Sequence, residues 1–178
     1  MFFTTKPTVL IHISRDGFIA YSKKGASKRL AFPPEVFHNL EVLDAKQLAS
    51  LTTVFAAENS LRGQRIVLLL DDEVVFQKIL PKTDNVQNAK ADFENKVPFD
   101  PGHRKVIMLQ PKDQLVLLGT NKVLYETIAS ALTGVGAKVL AVTPIVVYGK
   151  LKGPPLSLES FEAIIKGYPI AQAANFIA

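Results

Sequence analysis

Six consecutive residues, Arg65-Ile66-Val67-Leu68-Leu69-Leu70, present apolar side chains on both faces of an extended chain, and no other segment restricts the possible folds so tightly. A strand that alternates apolar and polar residues can lie at a surface, whereas one that is apolar throughout has to be covered on both sides. The segment is therefore expected as a central strand with packed layers above and below it, parallel to the first strand of the chain. That first strand is Thr8 to Ser14, with Val9, Leu10, Ile11 and Ile13. Arg15-Asp16-Gly17 follows as a tight turn, because Asp-Gly supplies the positive φ angles that a two-residue hairpin requires. Phe18 to Ser22 returns as a second strand, Gly25 turns the chain again, and Lys28 to Phe32 makes a third. Pro33-Pro34 ends this meander, since neither proline can donate to a ladder. Asp44 stands where it can cap a helix over Ala45 to Asn59, whose Leu48, Leu51, Thr52 and Phe55 fall on one face, with a stop near Gly63.

After Asp71-Asp72 the pattern begins again: strand Val74 to Leu80, helix Val86 to Lys96, strands Lys105 to Gln110 and Gln114 to Gly119, helix Lys122 to Thr133, strand Lys138 to Val142. This βαββαβ order is that of a ferredoxin-like unit. Pro81, the Pro98-Phe99-Asp100-Pro101-Gly102 stretch, Pro111-Lys112-Asp113 and the Gly134-Val135-Gly136 helix stop supply its turns. The expected fold class is α/β (α+β), a truncated actin-like or ribonuclease-H-like sub-domain formed by 1–72 plus 144–178, with an inserted ferredoxin-like sub-domain at 73–143. Ile145 to Leu151 reads as a short helix or a strand and Lys152-Gly153-Pro154-Pro155 as a linker. Ser157 caps a helix through Ile165 with Glu159 and Ser160 in its first turn, and Pro169 to Ala178 reads as extended or frayed.

A chain of 178 residues, 48% hydrophobic and 21% charged, is long enough to bury a core without staples. It has no cysteine, which removes disulfides, thiolate metal ligands and cysteine nucleophiles together. His12 and Arg15 interrupt the first apolar run, so no signal-peptide core is expected, and no stretch approaches the ~18 apolar residues of a membrane-spanning helix. The net charge of +5 admits an acidic partner, a nucleic acid or an anionic surface. The lysines are scattered, however, and the one cluster, Lys23, Lys24, Lys28 and Arg29, reads more simply as the charged flanks of a solvated turn.

No catalytic, cofactor-binding or metal-binding residue is assigned. His12, His38 and His103 share no metal-ligand spacing. Asp71-Asp72-Glu73 sits at the end of the central strand, where α/β folds often place their chemistry. A magnesium-dependent nuclease would also need an acid on the first strand, so a solvated turn is the simpler reading. Phosphate-loop and hydrolase-elbow motifs are absent. The tyrosines are too dispersed for a base-stacking platform, and nucleic acid binding is not expected.

Several short motifs together resemble PilM-like proteins, the actin-fold components of type IV pilus and competence machinery, and the cytoplasmic part of the GspL component of type II secretion. The strand Val74-Val75-Phe76-Gln77-Lys78-Ile79-Leu80-Pro81 matches a family pattern "K-x-(I/L)-x-P", and Val97-Pro98-Phe99 matches the "(I/V)-P-F" that closes the following helix. Leu115 to Gly119 and Gly136-Ala137-Lys138 through Thr143-Pro144 resemble later strands. The likeness spans about Thr8 to Leu151. Actin-like ATPases open with "D-(I/L)-G-(S/T)", whose aspartate helps hold magnesium and whose turn admits phosphates. Here His12 stands in place of the aspartate, Ile13, Ser14 and Arg15 replace the slim turn, and the sequence stops before a second large sub-domain.

The resemblance thus implies a nucleotide-free docking platform, cytoplasmic and at the inner face of a membrane. Its expected partners are other proteins of a membrane assembly platform, met through edge strands and a groove between sub-domains, with self-association left open and no small-molecule substrate or cofactor. Asn175-Phe176-Ile177 in the tail resembles the "I-N-L-L-P" peptide that PilN-like partners insert into PilM. It is a candidate partner-binding segment, set against the plainer reading of a chain end with two apolar residues. Two rivals stand beside this reading: a divergent actin-like or ribonuclease-H-like enzyme whose missing acid comes from a partner, and a basic nucleic-acid-binding module.

Overall fold

A computed structural model describes residues 6–82, 85–149 and 155–178. In chain order the strands and helices are β1 (Val9–Ser14), β2 (Gly17–Ser22), β3 (Gly25–Ala26), β4 (Leu30–Ala31), β5 (Phe37–His38), β6 (Glu41–Val42), α1 (Ala45–Glu58), β7 (Arg65–Leu70), β8 (Val75–Pro81), α2 (Val86–Glu94), β9 (Arg104–Leu109), β10 (Gln114–Asn121), α3 (Lys122–Gly134), β11 (Lys138–Pro144) and α4 (Leu158–Ala171). Short 3-10 turns occupy Asp72–Val74, Ile145–Tyr148 and Gln172–Ala174.

The main sheet has the order β11-β7-β1-β2-β3, with β4 also on β2. β7 lies parallel to β1, pairing Val9 with Ile66 and Ile13 with Leu70, and parallel to β11 on its other side. As its sequence requires, β7 is covered twice. Ile66, Leu68 and Leu70 join Val9, Ile11 and Ile13 of β1 against α1 and α3, including Leu48, Phe55, Leu124 and Ile128. Val67 and Leu69 join Leu10 on the opposite face, against Phe161, Ile164 and Tyr168 of α4. Three layers result, with β7 at the centre.

The meander's third strand is broken. Ser27 donates its backbone N–H to the carbonyl of Ala20, while its hydroxyl accepts from the N–H of Ala20 and donates to the carbonyl of Lys28. A side chain thus substitutes for ladder partners: of the strand expected over Lys28 to Phe32 only β4 forms, while Gly25, expected as a turn, opens β3. The small hairpin β5–β6, not foreseen, turns at Asn39 and Leu40, both at positive φ. Leu40 holds that conformation without being glycine, asparagine or aspartate, which explains why the turn has no legible signature.

The insertion differs from expectation in one topological respect. β8, β9 and β10 form a separate antiparallel sheet in the order β8-β10-β9, with α2 packed on β9 and β10. Gly119 permits this: a Cβ there would lie 2.9 Å from Val97 Cγ2 and 3.2 Å from Phe93 Cε1. The expected last two elements, α3 and β11, belong instead to the main body, where α3 packs against α1 and β11 extends the ladder of β7. The inserted unit is therefore βαββ rather than the full ferredoxin-like βαββαβ. Strand 138–144 is too apolar on both faces to serve a small peripheral sheet and too well matched to the free edge of β7. By sheet membership we place the sub-domain boundary after Asn121 rather than at 143. The linker expected at 152–154 lies outside the described residues.

Deleting side-chain volume from β7 leaves a void that neither layer can fill. Leu68→Ala is expected to lose about 2–5 kcal/mol in urea unfolding, whereas Val54→Ala on the exposed face of α1 should stay within about 0.5 kcal/mol of the parent.

Candidate functional site

The carboxyl ends of β1 and β7 lie side by side, the end of a parallel sheet where ligands usually collect. Two tight turns frame it. Gly17 opens β2 at φ +151°, and a Cβ there would stand 2.0 Å from the carbonyl oxygen of Leu30, so this hairpin is pressed against β4 and admits only glycine. On the other side Asp71 leaves β7 and caps the turn Asp72–Val74. Between them is a cavity of about 250 Å³ whose polar lining comprises His12, Ser14, Asp16, Arg29, Asp71 and Glu73.

Its central contact is His12 Nε2 to Asp71 Oδ2, 2.7 Å, with His12 only 2% exposed. Asp71 is fixed from three directions. Its backbone N–H donates to the carbonyl of Ile13, extending the β1–β7 ladder, and its Oδ1 accepts from the backbone N–H of Glu73. The hydrogen bond from His12 holds its carboxyl below the ordinary value of 3.8; burial opposes this, and the Glu73 amide assists. Asp71 is thus a carboxylate in this contact, and the imidazole is the donor. Ser14 Oγ donates to the carbonyl of Gly17 and accepts, at 3.5 Å, from Arg29, which also pairs loosely with exposed Asp16.

The arrangement can hold a proton but engages no nucleophile, because the Ser14 hydroxyl is committed to the hairpin rather than to His12. Among the described residues no group of three or more His, Asp or Glu side chains is placed to hold a metal ion. Asp72 and Glu73 face solvent, as a strand-end turn would. His38 is exposed, and His103 lies near Glu41, Nδ1 to Oε2 3.9 Å. Sequence reasoning placed His12 and Asp71 correctly on their elements and left them unconnected. The available signal was the parallel pairing of their strands: once His12 is opposite Leu69, the residue just past β7 comes within reach of its ring.

The tail residues singled out in the sequence fold onto the chain itself. After α4, which runs to Ala171 rather than ending at Ile165, a 3-10 turn carries Asn175 and Phe176 past the outer edge of β11. Asn175 Oδ1 accepts from the N–H of Val142 at 2.9 Å, and the N–H of Phe176 donates to the carbonyl of Val142 at 2.8 Å. The Phe176 ring is 2% exposed and meets Tyr125 at a centroid distance of 5.9 Å. Burial, with the charge of Glu126 adding to it, pushes the Tyr125 phenol up, so its hydroxyl stays protonated and donates to the Phe176 carbonyl. Ile177 is left 44% exposed.

No protein-family model matches this sequence, and no curated protein matches it significantly. Its structure is similar to a chain of the PilM–PilN type IV pilus biogenesis complex, with a TM-score of 0.55 at 15% identity over 80% of this chain. That likeness shows a fold shared with part of that chain. The chain spans 48% of the length of that relative, about half of it. Two further structures are also similar. One is the cytoplasmic domain of EpsL, an inner-membrane component of the type II secretion system of Vibrio cholerae (TM-score 0.48, 10% identity, 83% of this chain and 60% of that one). The other is a protein of unknown function with an actin-like ATPase fold from Bacteroides thetaiotaomicron (TM-score 0.47, 15% identity, 82% and 54%).

Two outcomes follow from these contacts. Asp71→Asn should lower stability near pH 7 by about 1–3 kcal/mol, because buried His12 loses its charged acceptor. A carboxyl whose folded pKa is depressed contributes stability that is complete above its unfolded pKa and lost as pH falls through the folded value. Urea titrations below pH ~4 should therefore show a steeper loss for the parent than for Asp71→Asn. In the tail, Phe176→Ala should cost about 3–5 kcal/mol and Ile177→Ala less than about 0.5 kcal/mol in the same assay.

Proposed function

We propose that this chain is a non-catalytic assembly module of an inner-membrane platform of the type IV pilus, competence or type II secretion kind. In this reading it works in the cytoplasm at the inner face of the membrane and binds partner proteins through sheet edges and the groove between its sub-domains. The observation that carries the reading is the His12–Asp71 contact. It occupies the place where the resemblance to actin-like ATPases would put a magnesium-binding acid and a phosphate turn, and it turns the strand-end carboxylate toward a neighbouring side chain. The cavity beside it, about 250 Å³, is smaller than the ~300–1,000 Å³ typical of sites that enclose a small-molecule ligand. The PilM-like fold supports the kind of machinery proposed, and no helix among the described residues is long and apolar enough to cross a membrane.

Edges suited to partners are present. Among the described residues β8 pairs only with β10, and its outward Ile79 is 53% exposed beside Lys78. Such a strand offers unpaired backbone groups to an incoming segment. Asn175, Phe176 and Ile177 enter this proposal as residues on which a partner would act by competing for the β11 edge.

The carboxylates of Asp16, Asp71 and Glu73 around one cavity favour a second reading, a divergent magnesium-dependent actin-like or ribonuclease-H-like enzyme completed by a partner's acid. Isothermal titration separates the two. The assembly reading expects no heat of binding with magnesium-ATP up to millimolar concentration. Micromolar binding that disappears in a variant carrying both Asp71→Asn and Asp72→Asn would establish the enzyme instead.

A further inference from the structure

A larger cavity lies at the opposite end of the main sheet, where β1 and β7 begin. It encloses about 670 Å³, and among its lining residues are four cations, Lys6, Lys23, Lys24 and Arg65, and no carboxylate. The two ends of the sheet therefore differ in sign, since the smaller cavity is lined by three carboxylates against Arg29 and His12. None of the four cations forms an ion pair among the described residues. Arg65 is half-buried and its Nε donates to the carbonyl of Lys6 at 2.6 Å, so its guanidinium is held in place, and among the described residues its other donors make no hydrogen bond. Beneath the cations lie Val9, Tyr21, Leu61 and Phe161, all buried, and Ile165, which is partly exposed.

From this geometry we infer a docking site for an acidic, partly apolar segment of another polypeptide. The inference rests on the assembly reading and names the chemistry of one partner. Charge decides the sign of the occupant. Its class follows from what surrounds the cations. Phosphate sites gather backbone N–H groups, usually at a helix N-terminus. None of the residues lining this cavity opens a helix. The aromatic rings in the floor, Tyr21 and Phe161, are each 3% exposed and leave no face on which a base could stack. What remains is cations spaced beside the outer strand of the sheet, β3, with partly exposed Ile165 among them, which suits carboxylates distributed along an extended chain with a small aliphatic contact at Ile165.

The test is fluorescence anisotropy with a fluorescein-labelled peptide of about six residues alternating aspartate and leucine, titrated with the full chain at low and physiological salt. Binding is expected to weaken about ten-fold or more in a variant carrying Lys23→Glu and Lys24→Glu, two exposed side chains whose change should leave the fold intact. A control variant, Lys46→Glu with Lys112→Glu, makes the same net charge change at exposed positions away from the cavity and should weaken binding less than three-fold, that is, about or below the Lys–carboxylate worth of a surface site. The asparagine version of the peptide should not bind. Equal weakening by both variants, displacement of the peptide by inorganic phosphate or a single-stranded oligonucleotide at equal charge, or no binding to the parent would overturn the inference. These outcomes leave the magnesium-ATP titration untouched, so the loss of this site and the loss of the assembly reading are told apart.

Discussion

Burial of β7 on both faces is the constraint from which the other features descend. A strand with Ile66, Val67, Leu68, Leu69 and Leu70 all at 0% exposure has to recruit two independent layers, and each layer fixes a different part of the chain. One recruits α1 and α3, which ties the segment after the insertion to the segment before it. The other recruits α4, which brings the residues after 155 across the opposite face. Parallel pairing with β1 then aligns the ends of the two strands, and this alignment sets His12 beside Asp71 at one end and Thr8 beside Gln64 and Arg65 at the other. Both cavities are products of the same register.

The His12–Asp71 contact occupies the end of the sheet where a parallel architecture gathers polar groups. Carboxyl ends of parallel strands still converge on a polar cavity, as the architecture dictates. Within it, an imidazole next to a carboxylate satisfies that carboxylate internally, and the Gly17 hairpin is pressed against the carbonyl of Leu30. A polar network that is fully partnered rigidifies the strand ends.

Much of this was legible in the sequence, for stated physical reasons. The unbroken apolar run of β7, the place of the turn after β1, where Gly17 but not Asp16 takes a positive φ, the cap at Asp44 and the glycine stop at Gly136 each act locally, so residue type alone reveals them. Sheet membership does not act locally. β11 has the same composition whether it joins β10 or β7, and only the vacancy on β7 and the packing of α3 on α1 assign it to the main sheet. The break at Ser27 and the turn at Asn39-Leu40 were hidden because a hydroxyl and a leucine perform tasks that backbone groups and glycine more often perform. The two cavities were invisible for a related reason: the lysines at 23 and 24 gain meaning only when Lys6 and Arg65 arrive from elsewhere in the chain.

The placement of the insertion between β7 and β11 has a kinetic side. Ladder partners such as Leu68 and Val142 are separated by a long stretch of chain, and closing so large a loop slows folding unless its contour is first shortened. The β8-β10-β9 sheet and α2 pack around Phe93, Val97, Phe99 and Leu117, a cluster composed mostly of residues from that stretch. If it condenses early, the distance that β11 must search collapses to the span between Leu70 and Lys122. The peripheral unit then serves as a folded spacer that accelerates the docking of the last parallel strand.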